Sequence, residues 1–199
     1  MKQYYIPYEA NIDVNYIYVL LFYSIAEYNA KSKRFDVVKY TTQRDLTEKL
    51  NSKLKDYGRT ISAATVSRIL NDERYSKFFQ RDDNKQITIQ NDIKGCSSFV
   101  VLNEKEVDLI LRENDILLAK YLLYLKYYCG YSKSKSIDTT TKQFLAAVGY
   151  SERSGKYISK VSELNKILSD SGFITIKKVR DTDGHERNIY AYNSMAESH

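Results

Sequence analysis

Side chains able to make or break bonds are scarce in this chain. Its 199 residues include two histidines, His185 and His199, and two cysteines, Cys96 and Cys129. Two histidines so placed exclude the His-x-His metal site of a rolling-circle nuclease. His185, Arg187 and Tyr190 lack the spacing of a tyrosine recombinase. There is no GxxxxGKS/T run to cradle a nucleoside triphosphate. DTDG at 181–184 starts like a calcium loop but lacks the remaining ligands and the closing Glu, so it reads as a turn. No Ser-His-Asp or Cys-His set stands out. What remains is hydrogen-bonding chemistry in two short segments: Ala64, Thr65, Ser67, Arg68 and Asn71, then Ser159, Ser162, Asn165 and Lys166. Arg and Lys fit guanine O6 and N7, Asn fits adenine, and Ser or Thr fits a base or a phosphate. Small residues such as Ala64 and Ser162 let a helix backbone approach a groove floor.

Both segments need a helix to present them. Val66, Ile69 and Leu70, and Val161, Leu164 and Leu168, recur at helical spacing. At about 100° per residue, Ala64, Arg68 and Asn71 point away from the first stripe, with Thr65 and Ser67 beside them. Ser159, Ser162 and Lys166 point away from the second, with Asn165 beside them. Upstream of each lies nearly the same hexamer, TTQRDL at 41–46 and TTKQFL at 140–145. A threonine of each pair can cap a helix start.

The likeness extends further. Each half opens with a strand-like piece, Tyr4–Pro7 or Phe99–Leu102. A Tyr- and Leu-rich helix follows, Val14–Asn29 or Asp115–Cys129, with an extra helical run, EKEVDLIL, ahead of the second. Then come a Lys/Ser loop, the hexamer helix, a connection and the second helix. The connection in the first half, NSKLKDYGRT at 51–60, is long. Gly172 is placed to stop the second helix of the second half. Each half closes with two strand-like runs around a turn, Asp82-Asp83-Asn84 or Asp181–Gly184. Helix, strand, helix, turn, helix, hairpin is the order of a winged helix-turn-helix. The expected fold is therefore mostly α with small β wings (α+β), in two tandem domains, 1–94 and 95–199, split within residues 92–98.

Charge follows the repeat. The chain carries +6 at pI ≈ 9.0. By formal charge, residues 1–38 are neutral, 39–94 carry +4, 95–132 carry −1 and 133–187 carry +4. Candidate phosphate contacts in the first basic block are Arg44, Lys53, Lys55, Arg59, Arg81 and Lys85. Those in the second are Lys142, Arg153, Lys156 and Lys160, with Lys177, Lys178, Arg180 and Arg187 on the expected wing. Most of the tyrosines singled out, Tyr16, Tyr23, Tyr28, Tyr121, Tyr124 and Tyr128, fall in neutral blocks among Leu, Ile and Val. They are expected to pack the core or pair subunits of a homodimer. Nothing reads as a secretory signal or a membrane span, and the sparse cysteines fit a reducing, cytoplasmic setting.

The stretch from CSSFVVLNEKEVDLIL through SGFITIKKVRDTDGHERNIYAY resembles the winged-helix domains of plasmid and phage replication initiators and of primosomal helicase-loading proteins. The first half is similar to a diverged copy. The resemblance implies a sequence-specific, non-catalytic protein of double-stranded DNA that needs no cofactor or metal. It would start or organise replication of a mobile element, with a helicase or primase as possible protein partner. A transcriptional repressor working with RNA polymerase, or a winged-helix scaffold that binds protein alone, is the alternative.

Overall fold

The computed structural model describes residues 2–8, 13–82, 86–89, 98–180, 182 and 186–193. It is a mixed α+β chain with seven α-helices and three small antiparallel sheets among those residues. By contacts it divides between Ile116 and Leu117 into two compact units. The split expected within residues 92–98 lies almost wholly outside the described residues.

In the first unit, helix α1 (Tyr16–Ser24) starts at Asn15, whose side chain accepts from the Ile17 amide at 3.0 Å. Seven of its nine residues are buried, so it needs cover on every side. The expected helix Val14–Asn29 stops early, because Glu27–Asn29 instead forms β2 against β3 (Arg34–Lys39). Helix α2 (Gln43–Lys55) and helix α3 (Ala63–Asn71) follow. A 3-10 turn (Glu73–Tyr75) leads to β4 (Phe79–Arg81) and β5 (Gln86–Ile89). The sheet order is β2-β3-β5-β4. The supposed loop NSKLKDYGRT is half helix: Leu46, Leu50 and Leu54 continue one buried stripe through it.

Two further pieces complete this unit. Strand β1 (Gln3–Pro7) pairs with β6 (Phe99–Asn103), Tyr5 facing Val101. Helix α4 (Glu104–Glu113) packs on α1. Its start is a capping box: Asn103 and Glu106 each bond the other's amide, at 3.0 and 2.6 Å. Asp108 of α4 accepts from Lys53 and Tyr57 at 2.9 and 2.6 Å. Strand β6 and α4, assigned from sequence to the second half, thus belong to the first unit. Asn114 in the left-handed region ends α4.

The second unit holds α5 (Ile116–Tyr131), β7 (Ser136–Asp138), α6 (Thr141–Ala147), α7 (Gly155–Asp170), β8 (Ile174–Arg180) and β9 (Glu186–Tyr192). Its sheet order is β7-β9-β8. That repeats β3-β5-β4: helix, strand, two helices, then a hairpin whose second strand pairs with the earlier one. Helix α7 ends as its Ser-Gly pair predicts. Gly172 sits at φ +74, and the Phe173 amide returns to the Leu168 carbonyl at 2.9 Å.

Capping fixes the register of the repeat. Thr42 caps α2 and Thr140 caps α6. The two hexamers therefore align one residue out of step, so that Leu46 matches Phe144, both fully buried. Tyr16, Tyr23, Tyr121 and Tyr124 are core, as expected; Tyr28 and Tyr128 are exposed.

Candidate nucleic-acid interface

Helix α3 is positioned by side chains that sequence periodicity did not single out. Asn51 of α2 grips the connection from both sides, accepting from the Ile61 amide at 2.6 Å and donating to its carbonyl at 3.1 Å. Gln43 donates to the Ala63 carbonyl at 2.8 Å. Ser62 caps the helix through the Thr65 amide. Val66 and Ile69 then face the core, while Ala64, Arg68 and Asn71 are exposed and Thr65 and Ser67 half-buried. Among the described residues the Asn71 side chain makes one long bond, to Ser67 at 3.4 Å.

Arg68 is exposed, and no hydrogen bond ties its guanidinium to the Asp72 carboxylate that it helps to hold ionised. The nearby Asp72 carboxylate is taken by Arg74, at 2.6 Å to Nη2 and 3.0 Å to Nε, and Arg74 also reaches Asp13. These bonds hold the Asp72 carboxyl below the usual aspartate range. Beside the end of α3 lies an open groove of ≈ 350 Å³, lined in part by Asn71, Glu73, Gln80 and Arg81.

In the second unit, Val161, Leu164 and Leu168 are buried, and Lys156, Ser159, Ser162 and Lys166 form an exposed stripe along α7. Ser162 also donates to the Ile158 carbonyl at 3.4 Å. Asn165, expected to flank the outward stripe, is half-buried and turned inward. It accepts from the Tyr121 hydroxyl at 2.6 Å and donates to Tyr190 at 3.4 Å, inside the unit. It follows the buried Leu164 and precedes the exposed Lys166, and from that half-buried edge its amide reaches the tyrosines.

The expected phosphate contacts divide into two groups. Arg81, Lys142, Arg153, Lys156, Lys166 and Lys177 are exposed, and their side chains make no hydrogen bond or ion pair among the described residues. Others are engaged internally. Arg44 pairs with Glu48 at 2.9 Å, Lys160 with Glu163 at 2.9 Å and Arg187 with Asp138 at 3.0 Å. These exposed pairs are weak enough for a phosphate to displace. Arg59 is different: it donates to the Leu111 carbonyl at 2.8 Å, and burial lowers its pKa. That bond ties α4 down rather than offering a cation outward. On β8, Lys177 faces one side of the strand and Lys178 and Arg180 the other. Lys85 and the turns at 83–85 and 183–185 lie outside the described residues.

No helix among the described residues is long and apolar enough to cross a membrane, and no group of His, Cys, Asp and Glu there could hold a metal. Cys129 is buried, its thiol on the Tyr190 carbonyl at 3.4 Å. Compared with known protein families, curated proteins and solved structures, the chain finds no significant match in any of the three.

Proposed function

We propose that each unit is a winged helix-turn-helix and that the chain binds double-stranded DNA sequence-specifically, without catalysis. Helices α3 and α7 would enter the major groove, and the closing hairpins would lie along the flanking backbone. The observation that carries this reading is the repeated order. In both units an exposed cationic helix over a buried stripe leads into a hairpin joined to the earlier strand. The role favoured is initiation or organisation of replication on a plasmid, phage or other mobile element.

Selection from a random duplex pool, followed by footprinting, tests it. One monomer using both units would protect two half-sites in direct repeat, about one helical turn apart. Arg68→Ala and Lys166→Ala should each cost about 1–3 kcal/mol of discrimination at one position. Lys177→Ala with Lys178→Ala should weaken all duplexes alike and flatten the salt dependence. Weak, salt-insensitive binding with no selected sequence would refute the proposal in favour of a protein-only scaffold.

A further inference from the structure

One tripeptide recurs in two surface loops, the turn between β2 and β3 and the connection from α5 to β7. It reads Lys31-Ser32-Lys33 before β3 and Lys133-Ser134-Lys135 before β7. The third residue is left-handed in both copies, Lys33 at φ 57 and Lys135 at φ 54. Lysine enters that region only at a cost, and here the turns hold it, the Lys33 amide on the Asn29 carbonyl at 2.8 Å and the Lys135 amide on the Ser132 carbonyl at 3.1 Å.

Aromatic rings crowd the same two places. Five large apolar side chains are exposed among the described residues, and four of them lie here: Tyr28 (56%), Phe35 (43%), Tyr128 (39%) and Tyr131 (63%). Tyr28 packs edge-on to Phe35, and Tyr131 packs on Tyr127. The carboxylates closest in sequence to these loops are turned elsewhere, and Asp36 is buried. Glu27 is engaged with Lys49, and Asp138 with Arg187. Lys31, Lys33 and Lys133 make no ion pair among the described residues.

Strand register places both loops away from the closing hairpin turns. Ser136 faces Ala191, whereas the turn of the second unit follows the Arg180–Glu186 pair. In the first unit Lys39 faces Gln86 near the turn, so Arg34 starts β3 at the opposite end of the sheet.

We propose that these two loops bind single-stranded nucleic acid, a ligand beyond the duplex reading above and independent of it. Lysines without carboxylate partners call for a polyanion, and lysine is depleted where proteins meet proteins. Exposed rings can stack only on bases that are not already paired and stacked, which a duplex does not offer. Rings and cations together therefore select an unpaired strand.

Fluorescence anisotropy on the full chain tests this with a labelled oligothymidylate of about 20 nucleotides, a random duplex of equal length and polyglutamate. The wild type should bind the oligothymidylate and ignore polyglutamate. Tyr28→Ala with Tyr131→Ala should weaken the single strand by roughly 5- to 150-fold per lost stack and leave the duplex unchanged. Tyr28→Phe with Tyr131→Phe should stay within about twofold of wild type, because the stacking face survives. Lys31→Ala with Lys133→Ala should flatten the salt dependence by about two phosphate contacts, a readout that survives if the alanine pair fails to fold. Arg68→Ala with Lys166→Ala should leave the oligothymidylate untouched, so failure of the duplex reading shows separately. No binding of the single strand, equal competition by polyglutamate, or unchanged binding by the folded alanine pair would overturn the inference.

Discussion

Asn165→Ala should cost fold stability rather than base recognition. The Asn165 amide is half-buried, and its oxygen is the 2.6 Å acceptor of the Tyr121 hydroxyl. Tyr121 is 1% exposed, wedged 4.5 Å from the Phe144 ring and edge-on to Tyr190. Burial pushes its phenol well above the ordinary value, so it remains a donor that must find an acceptor. Removing that acceptor leaves the buried hydroxyl only the Tyr190 phenol, a loss of about 1–3 kcal/mol. With a denaturant slope of about 2 kcal/mol per molar, the urea midpoint should fall by roughly 0.5–1.5 M. The chain has no Trp, so far-UV circular dichroism is the natural probe. Tyr121→Phe removes the donor along with its need and should cost less. Combined with Asn165→Ala it should show a coupling of about 0.5–3 kcal/mol. An unchanged midpoint together with an altered base preference would mean that Asn165 faces the ligand and the internal network is wrong.

Acid should loosen α4 through Asp108. Burial raises its pKa, but the hydrogen bonds from Tyr57 and Lys53 outweigh it and leave the carboxyl below its ordinary value near 3.8. A depressed folded pKa means stabilisation present above that ordinary value and lost as pH falls through the folded one. The urea midpoints of wild type and Asp108→Asn should therefore differ near neutrality and converge as pH falls below the ordinary aspartate value. A constant gap would show that the charge of Asp108 is not what matters. Of the paired threonines, Thr42→Ala and Thr140→Ala should each cost about 1 kcal/mol, because their oxygens accept from the Asp45 and Gln143 amides. Thr141→Ala, inside α6, should cost far less by the same denaturation assay.

The outward faces of α3 and α7 were legible because a 100° rotation needs only local sequence. Arg68, Asn71, Ser159, Ser162 and Lys166 are all exposed, and Val66, Ile69, Leu164 and Leu168 all inward. The end of α7 was legible for the same reason, since Gly172 supplies the left-handed residue itself. The length of α2 was legible but passed over: Leu50 and Leu54 extend the stripe of Leu46 into residues whose polarity reads as loop. Strand β2 was not legible. Three residues gain strand character only by pairing with β3, and nothing in EYN interrupts the helical pattern before it. Periodicity also sees the angle of Asn165 but not the distance to a tyrosine 44 residues away.

Where the second half begins is the larger lesson, and it follows from α1. A nine-residue helix with seven buried residues cannot be finished by α2 and β3 alone, since an apolar surface open to water on one side costs about 25 cal/mol for each Å². The cover comes from α4, which sequence order places after the first hairpin. Four polar contacts fasten it: the Asn103–Glu106 box at its start, Lys53 and Tyr57 on Asp108, and Arg59 on the Leu111 carbonyl. Two of those residues, Lys53 and Arg59, belong to the basic block that a charge count assigns to an external polyanion. Charge blocks therefore overstate the free cations of the first unit. In the second unit Lys142, Arg153, Lys156 and Lys166 stay exposed without partners among the described residues. If the two units share one kind of ligand, the second should contribute the larger part of the salt dependence. Neutralising Lys156 with Lys166 should then flatten the salt slope more than neutralising Arg44 with Arg68. The reverse order would place the dominant charged contact in the first unit.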